Sequence, residues 1–128
     1  MKAILVTCAI IYFNDKILAV QRSNKMKLPL KWEFPGGKIE DEETEIDCVK
    51  REVLEELNIN IEVKEKLTPI IHQYLDFKIK LIPFTARYIS GEFILKEHSD
   101  FVLANKEELL KLDWAAADLP ILKEFLAL

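Results

Sequence analysis

The chain has 128 residues, half of them hydrophobic, which suffices for one ordinary domain with a real core. Its formal net charge of −4 argues against a nucleic-acid polymer as partner, because such sites show a basic stripe; a small phosphorylated ligand remains open when cations bridge the two sets of negative charge. The two cysteines, Cys8 and Cys48, make no disulfide framework and have no zinc-ligand spacing, so they read as small buried thiols in a reducing cytosol.

Met1-Lys2 and the apolar run 3–13 imitate a short signal peptide, but no small-residue cleavage site follows and the run is too short to span a bilayer. It reads as a buried strand of a cytoplasmic protein, free of membrane contact. Residues 16–22 form its neighbour across an Asn14-Asp15 hairpin turn, and 23–31 a polar loop with Pro29. Lys38-Ile39 opens a short strand. The stretch 43–57 predicts a helix with Ile46, Val49, Val53, Leu54 and Leu57 as its core-facing stripe. Strands are expected over 61–75 and 78–89 around a turn near Asp76, with short ones at 91–96 and 101–104. Asn105 and Glu108 fit a capping box opening a helix over 106–112, and Asp118 fits the N-cap of a last helix running to about 127. No linker or repeat divides the chain, so residues 1–128 read as one α+β domain: an α/β/α sandwich with a mixed sheet between helices.

The chemistry concentrates between Gly37 and Ile59. Gly37 is followed after five residues by Glu43, and after seven more by Arg51-Glu52-Val53-Leu54-Glu55-Glu56-Leu57-Asn58-Ile59. On a helix, Glu52, Glu55 and Glu56 share one face. Like charges so spaced repel by roughly 0.2–0.5 kcal/mol per pair, a cost that a bound cation offsets. Hard divalent ions such as Mg²⁺ take oxygen ligands and commonly link carboxylates to substrate phosphates. A plain solvated acidic face is the competing reading of three glutamates alone.

The full spacing resembles the Nudix box: Gly37, Glu43, Arg51, Glu52, Val53, Glu55, Glu56 and Ile59 all match. Asn58 stands where the family has Gly, and Asn is the next most tolerant residue for a left-handed helix cap. The resemblance implies the Nudix fold and a hydrolase that cleaves nucleoside diphosphate derivatives by water attack on phosphorus. It implies Mg²⁺ as cofactor, with Mn²⁺ as substitute, held by Glu52, Glu56, Glu55, the Gly37 carbonyl and Glu97 from outside the box. Glu52 is the first choice of general base and Glu97 the second. Arg51 and Glu43 orient the carboxylates, a role hardly distinct from a helix ion pair. Lys38 reads equally as a phosphate contact or a solvated lysine.

Beyond the box, 32–40 is similar to MutT-type nucleoside triphosphate pyrophosphohydrolases, and 116–122 to the CTP pyrophosphohydrolase branch. Asp118 stands where the MutT type has Asn, so strict 8-oxo-dGTP specificity is not expected; an ionised carboxylate only accepts, and suits an exocyclic amino group. Arg22, Trp32 and Phe34 join Asp118 as candidate substrate contacts, each with a structural alternative: a strand-end Arg, two core aromatics and a helix cap. The function implied is conversion of a nucleoside triphosphate to monophosphate and pyrophosphate, in the service of removing damaged or modified nucleotides. ADP-ribose or dinucleoside polyphosphate hydrolysis, and a non-catalytic nucleotide-binding module, are the alternatives. A monomer is the default, a homodimer its alternative.

Overall fold

A computed structural model describes residues 2–128. β1 (Ile4–Phe13) and β2 (Lys16–Gln21) form the expected hairpin, with Phe13 opposite Lys16. Asn14 takes φ 58°, the left-handed conformation that a tight turn asks for and Asn tolerates. β3 (Trp32–Glu33) pairs with β2, and β4 (Gly36–Lys38) with the first half of β1. After α1 (Glu45–Leu57) come β5 (Asn60–Lys66), β6 (Ile70–Gln73) and β7 (Lys78–Ser90). β7 runs parallel to β1, from Ile4 opposite Ile79 to Tyr12 opposite Arg87, and carries β5 and β6 antiparallel on its far side. β8 (Asp100–Ala104) pairs with β2, and α2 (Lys106–Leu109), a 3₁₀ turn at Ala116–Asp118 and α3 (Leu119–Leu126) complete the chain.

The mixed sheet lies between helices, as an α/β/α sandwich requires. Successive residues of β1 point to opposite faces. Cys8 and Ile10 join Ile17, Phe34, Ile121 and Phe125 on the α3 side, whereas Ala9 and Ile11 join Leu18, Val49, Val53 and Leu57 on the α1 side. Each fully buried Leu, Ile or Phe contributes about 1.5–3 kcal/mol. Burial on both faces explains why β1 is apolar at every position but Thr7. No helix among the described residues is long and apolar enough to cross a membrane.

Four expectations are corrected. The helix begins at Glu45, not Glu43, because Glu42 takes φ 64° and Thr44 caps the helix by accepting from the Asp47 N–H at 3.1 Å. Ile46 and Leu54 are exposed, and buried Cys48 and Glu56 take places on the inward face instead. The run 61–75 is two strands, broken near Pro69, which has no N–H for a ladder; the Leu67 N–H turns instead to the Pro83 carbonyl. Residues 91–96 form no strand. They wrap the end of α1, where the Ile94 and Lys96 N–H groups donate to the Leu57 and Glu56 carbonyls. Asn58 is the left-handed cap expected of it, at φ 60° and ψ 28°.

Candidate functional site

The box is assembled by one close approach and one guanidinium. β4 crosses the flank of α1 so tightly that a Cβ on Gly37 would lie 2.2 Å from Cδ of Glu52, and one on Gly36 would lie 2.0 Å from the Thr7 carbonyl oxygen. Gly36 is therefore a requirement of the backbone, and Gly37 of the place that the Glu52 carboxyl occupies. Arg51 grips Glu43 through Nε (2.6 Å) and Nη2 (2.9 Å), and reaches Glu52 (3.0 Å), Glu55 (3.1 Å) and the Lys38 carbonyl (3.1 Å). The hydrogen bonds from Arg51 hold the Glu43 carboxyl down to about 2. Arg51 thus fixes the loop before α1 and two of the three helix carboxylates at once.

Glu56 is buried and accepts from the Gly36 N–H at 3.3 Å. Burial first, then the charges of Glu33, Glu52 and Glu97, push its carboxyl up to about 9. Burial likewise raises Glu52, partly opposed by Arg51. Glu97 is exposed, yet lies near enough to Glu56 to help raise its carboxyl. Glu55 is the outermost box carboxylate, with 57% of its side chain exposed. The Gly37 carbonyl accepts from Thr7 (3.3 Å) and Cys48 (3.5 Å), so it is turned toward β1 and α1 rather than left free.

A cavity of about 500 Å³ opens beside this cluster, within the range of small-molecule sites. Glu56, Gly36, Gly37 and Lys38 line one part of it; Phe34, Tyr74, Ala117 and Asp118 line another, and Arg22 and Glu33 also belong to its wall. Asp118 is buried, and its Oδ2 accepts from the Phe34 N–H at 3.0 Å. It makes no side-chain capping bond to α3, which corrects the N-cap expectation: the residue is already helical at φ −79°, ψ −20°, and its carboxyl reaches β3's end instead. Burial, then the Glu33 charge, raises the Asp118 carboxyl well above the usual range. The group can therefore carry a proton and donate, where an ionised carboxylate could only accept. Tyr74 Oη accepts from the Ala117 N–H at 3.0 Å beside it.

The structure thus brings Arg22, Phe34, Lys38 and Asp118 to one cavity with Glu56 and Gly37. Trp32 is not among the residues lining it; it packs against the α3-side core and forms a bridge with Trp114. Glu43, Arg51 and Glu55 act on the flank of α1. Sequence reasoning missed Glu33, Tyr74 and His98, all of which line the cavity. His98 stands next to Glu97, but a lone histidine carries too little signal to be singled out; Glu33 lies in the conspicuous stretch 32–37, yet nothing in its spacing marks it.

Among the described residues no group of three His, Cys, Asp or Glu side chains already surrounds one point in the manner of a finished metal site. The donor chemistry nevertheless fits a divalent cation. Glu52, Glu56 and Glu97 are hard oxygen donors, and their crowding around a buried carboxyl is what a cation relieves.

The NUDIX domain family model matches residues 2–125. The CTP pyrophosphohydrolase of Escherichia coli (strain K12) is 35% identical over 128 residues, covering 100% of this chain and 95% of that protein. An 8-oxo-dGTP diphosphatase of Proteus vulgaris is 33% identical over 86 residues, covering 67% and 77%. The solution NMR structure of DNA mismatch repair protein MutT (family Nudix hydrolase) from methicillin-resistant Staphylococcus aureus 252 superposes with a TM-score of 0.79 at 40% identity, covering 98% of this chain and 97% of that one. Family members typically use a divalent metal and bind nucleotide substrates. With the Arg51-braced carboxylates, the glycine pair that admits Glu52 and the adjoining cavity, these matches establish that the chain belongs to the Nudix hydrolase family and is MutT-like.

Proposed function

We propose that the chain hydrolyses a nucleoside triphosphate to the monophosphate and pyrophosphate with Mg²⁺, and that its substrates are cytosine or oxidised nucleotides. The observation that supports this most is one cavity lined by Glu56 and the Gly36-Gly37-Lys38 strand of the box and also by Asp118 and Phe34. A compact nucleotide fits that span, with phosphates toward Glu56, Lys38 and the glycines and the base toward Asp118.

Glu52, Glu56 and Glu97 would hold the cation, Glu55 would assist from the exposed edge, and the Gly37 carbonyl would join them on giving up its bonds to Thr7 and Cys48. When bound, Mg²⁺ (or Mn²⁺ in its place) neutralises phosphate oxygens and lowers the pKa of water. Glu52 takes the proton of the attacking water, as a carboxylate within reach of the bound water can. The water oxygen joins phosphorus as the phosphoanhydride P–O bond breaks, and pyrophosphate leaves toward Lys38. Arg51 and Glu43 hold the carboxylates in register. At the floor, one oxygen of Asp118 is engaged by the Phe34 N–H, which leaves the other for the base. Phe34 packs under the base and Arg22 stands at the wall.

The test is product analysis with Mg²⁺ on 8-oxo-dGTP, CTP, dCTP, 5-methyl-dCTP, 5-hydroxy-dCTP, dGTP, ADP-ribose and a dinucleoside tetraphosphate. Monophosphate and pyrophosphate from one of the triphosphates is the expected result. Turnover confined to ADP-ribose or the dinucleotide would refute the triphosphate assignment, and nucleotide binding without turnover would refute catalysis.

A further inference from the structure

The loop from Gly91 to Ser99 carries two neighbours of opposite character. Glu97 is exposed beside Glu52 and Glu56, while His98 is buried, with only 1% of its side chain accessible. The loop is anchored on either side of this pair by backbone bonds: the Lys96 N–H donates to the Glu56 carbonyl at 3.1 Å, and the Ser99 N–H to the Gln21 carbonyl at 2.9 Å. The His98 Nε2 lies 2.9 Å from Oε2 of Glu33. A carboxylate only accepts, so Nε2–H is the donor. Nδ1 has no partner among the described residues, which makes the bond to Glu33 the one polar contact that holds the ring.

Glu33 is itself held from the other side, by Arg22 Nη1 at 2.8 Å, and Arg22 Nε also donates to the Lys27 carbonyl at the mouth of the cavity. Arg22, Lys27, Glu33 and His98 all line that cavity. A hydrogen-bonded line therefore runs from the cavity mouth through Arg22, Glu33 and His98 to the backbone that presents Glu97. Glu97 needs such a tether, because it is exposed and the Glu52 carboxylate repels it until a cation is present.

We infer that His98 is a positioning residue: its bond to Glu33 ties the Glu97 loop to the nucleotide wall, so that a nucleotide seated against Arg22 and Glu33 fixes Glu97 at the cation site. This rests on the reading of Glu97 as a cation ligand or base. It is distinct from a packing role, because the nitrogen, and not the bulk of the ring, carries the effect.

The experiment compares His98→Ala, His98→Gln and Glu97→Gln in the full chain. Each is assayed for kcat and KM, and for Mn²⁺ binding by electron paramagnetic resonance with and without a non-hydrolysable triphosphate analogue; thermal unfolding checks the fold. His98→Ala should lower kcat by about 10–100-fold with little change in KM, and should lose the same Mn²⁺ binding in the analogue complex that Glu97→Gln loses. His98→Gln places an amide N–H near the Nε2 position and should recover most of both. Should His98→Ala fail to fold, His98→Asn replaces it, since its amide stops short of Glu33. Wild-type kcat and Mn²⁺ binding in His98→Ala (or His98→Asn), with Glu97→Gln impaired, would overturn the inference alone. Failure of His98→Gln to outperform the shorter variant would overturn it too. Wild-type behaviour of Glu97→Gln would sink the reading of Glu97, and the inference with it.

Discussion

The box on the flank of α1 and the Asp118 end of the neighbouring cavity are built in opposite ways. The box side is charged, partly open to water and over-determined: a single guanidinium grips Glu43, Glu52 and Glu55, and one helix supplies most of the donors. On the Asp118 side, groups from well-separated segments meet: the buried Asp118 carboxyl is held by the Phe34 N–H, with Tyr74, Arg22 and Glu33 beside it. The first arrangement stabilises charge and fixes geometry for a reaction common to many substrates. In the proposed reading the second selects the base, because a buried polar group left unpaired costs about 1–3 kcal/mol. On that proposal, variants on the two sides should separate reaction rate from substrate choice.

The largest effect is expected at the box. Glu52→Gln should lower kcat on the order of 10²–10⁴-fold while the fold survives, as followed by steady-state kinetics and circular dichroism. Near-normal turnover would show that Glu52 is not the base.

Gly37→Ala comes next. Its Cβ would meet the Glu52 carboxyl at 2.2 Å, and that carboxyl is the movable end of a side chain, so the fold gives way there first. A displaced reacting group costs on the order of 10²-fold in kcat, with the melting temperature nearly unchanged. At Gly36 the obstacle is the Thr7 backbone, and Gly36→Ala should instead destabilise the protein. Equal behaviour of the two variants would contradict this steric account.

Asp118→Asn keeps an acceptor for the Phe34 N–H but changes what faces the base. It should shift the ratio of kcat/KM between cytosine and guanine nucleotides about tenfold, with little loss of overall rate on the better substrate. An unchanged substrate profile would reduce Asp118 to a structural tie.

The smallest effect is in stability. In the metal-free fold Glu56 keeps its proton up to about pH 9, whereas unfolded it ionises near 4.5. Between these values the folded state holds more protons, so this group's contribution to stability is full below about 4.5 and is lost as pH rises toward 9. Mg²⁺ favours the ionised carboxylate, so the rise in melting temperature on adding it should itself grow across that window, by a few degrees. A Mg²⁺ effect independent of pH would separate Glu56 from the cation.

The box is legible in the amino-acid sequence because its residues lie close along the chain and their roles follow from helical spacing. Helical periodicity puts Glu52, Glu55 and Glu56 together, and the tolerance of Asn for left-handed backbone explains Asn58, which takes φ 60°. The run of β1, apolar except at Thr7, announces its burial on both faces in the same way. The stripe of α1 is only half right: Ile46 and Leu54 lie outside the narrow strip that meets the sheet, a strip whose edge is set by sheet position and not by hydrophobicity.

What the tertiary structure alone decided is where distant residues meet. Asp118 has the sequence surroundings of a helix cap, and only the packing of the last turn against Phe34, 84 residues away, turns its carboxyl into a cavity floor. His98 and Glu33 are separated by 65 residues, and no periodicity relates them. Trp32 goes to the core for the same kind of reason, because β3 pairs beside Trp114. Local spacing determines which groups share a helix face, since the backbone repeat is fixed. Which groups share a cavity depends on how the sheet brings its strands and loops together, and that is settled by the packing of the whole chain.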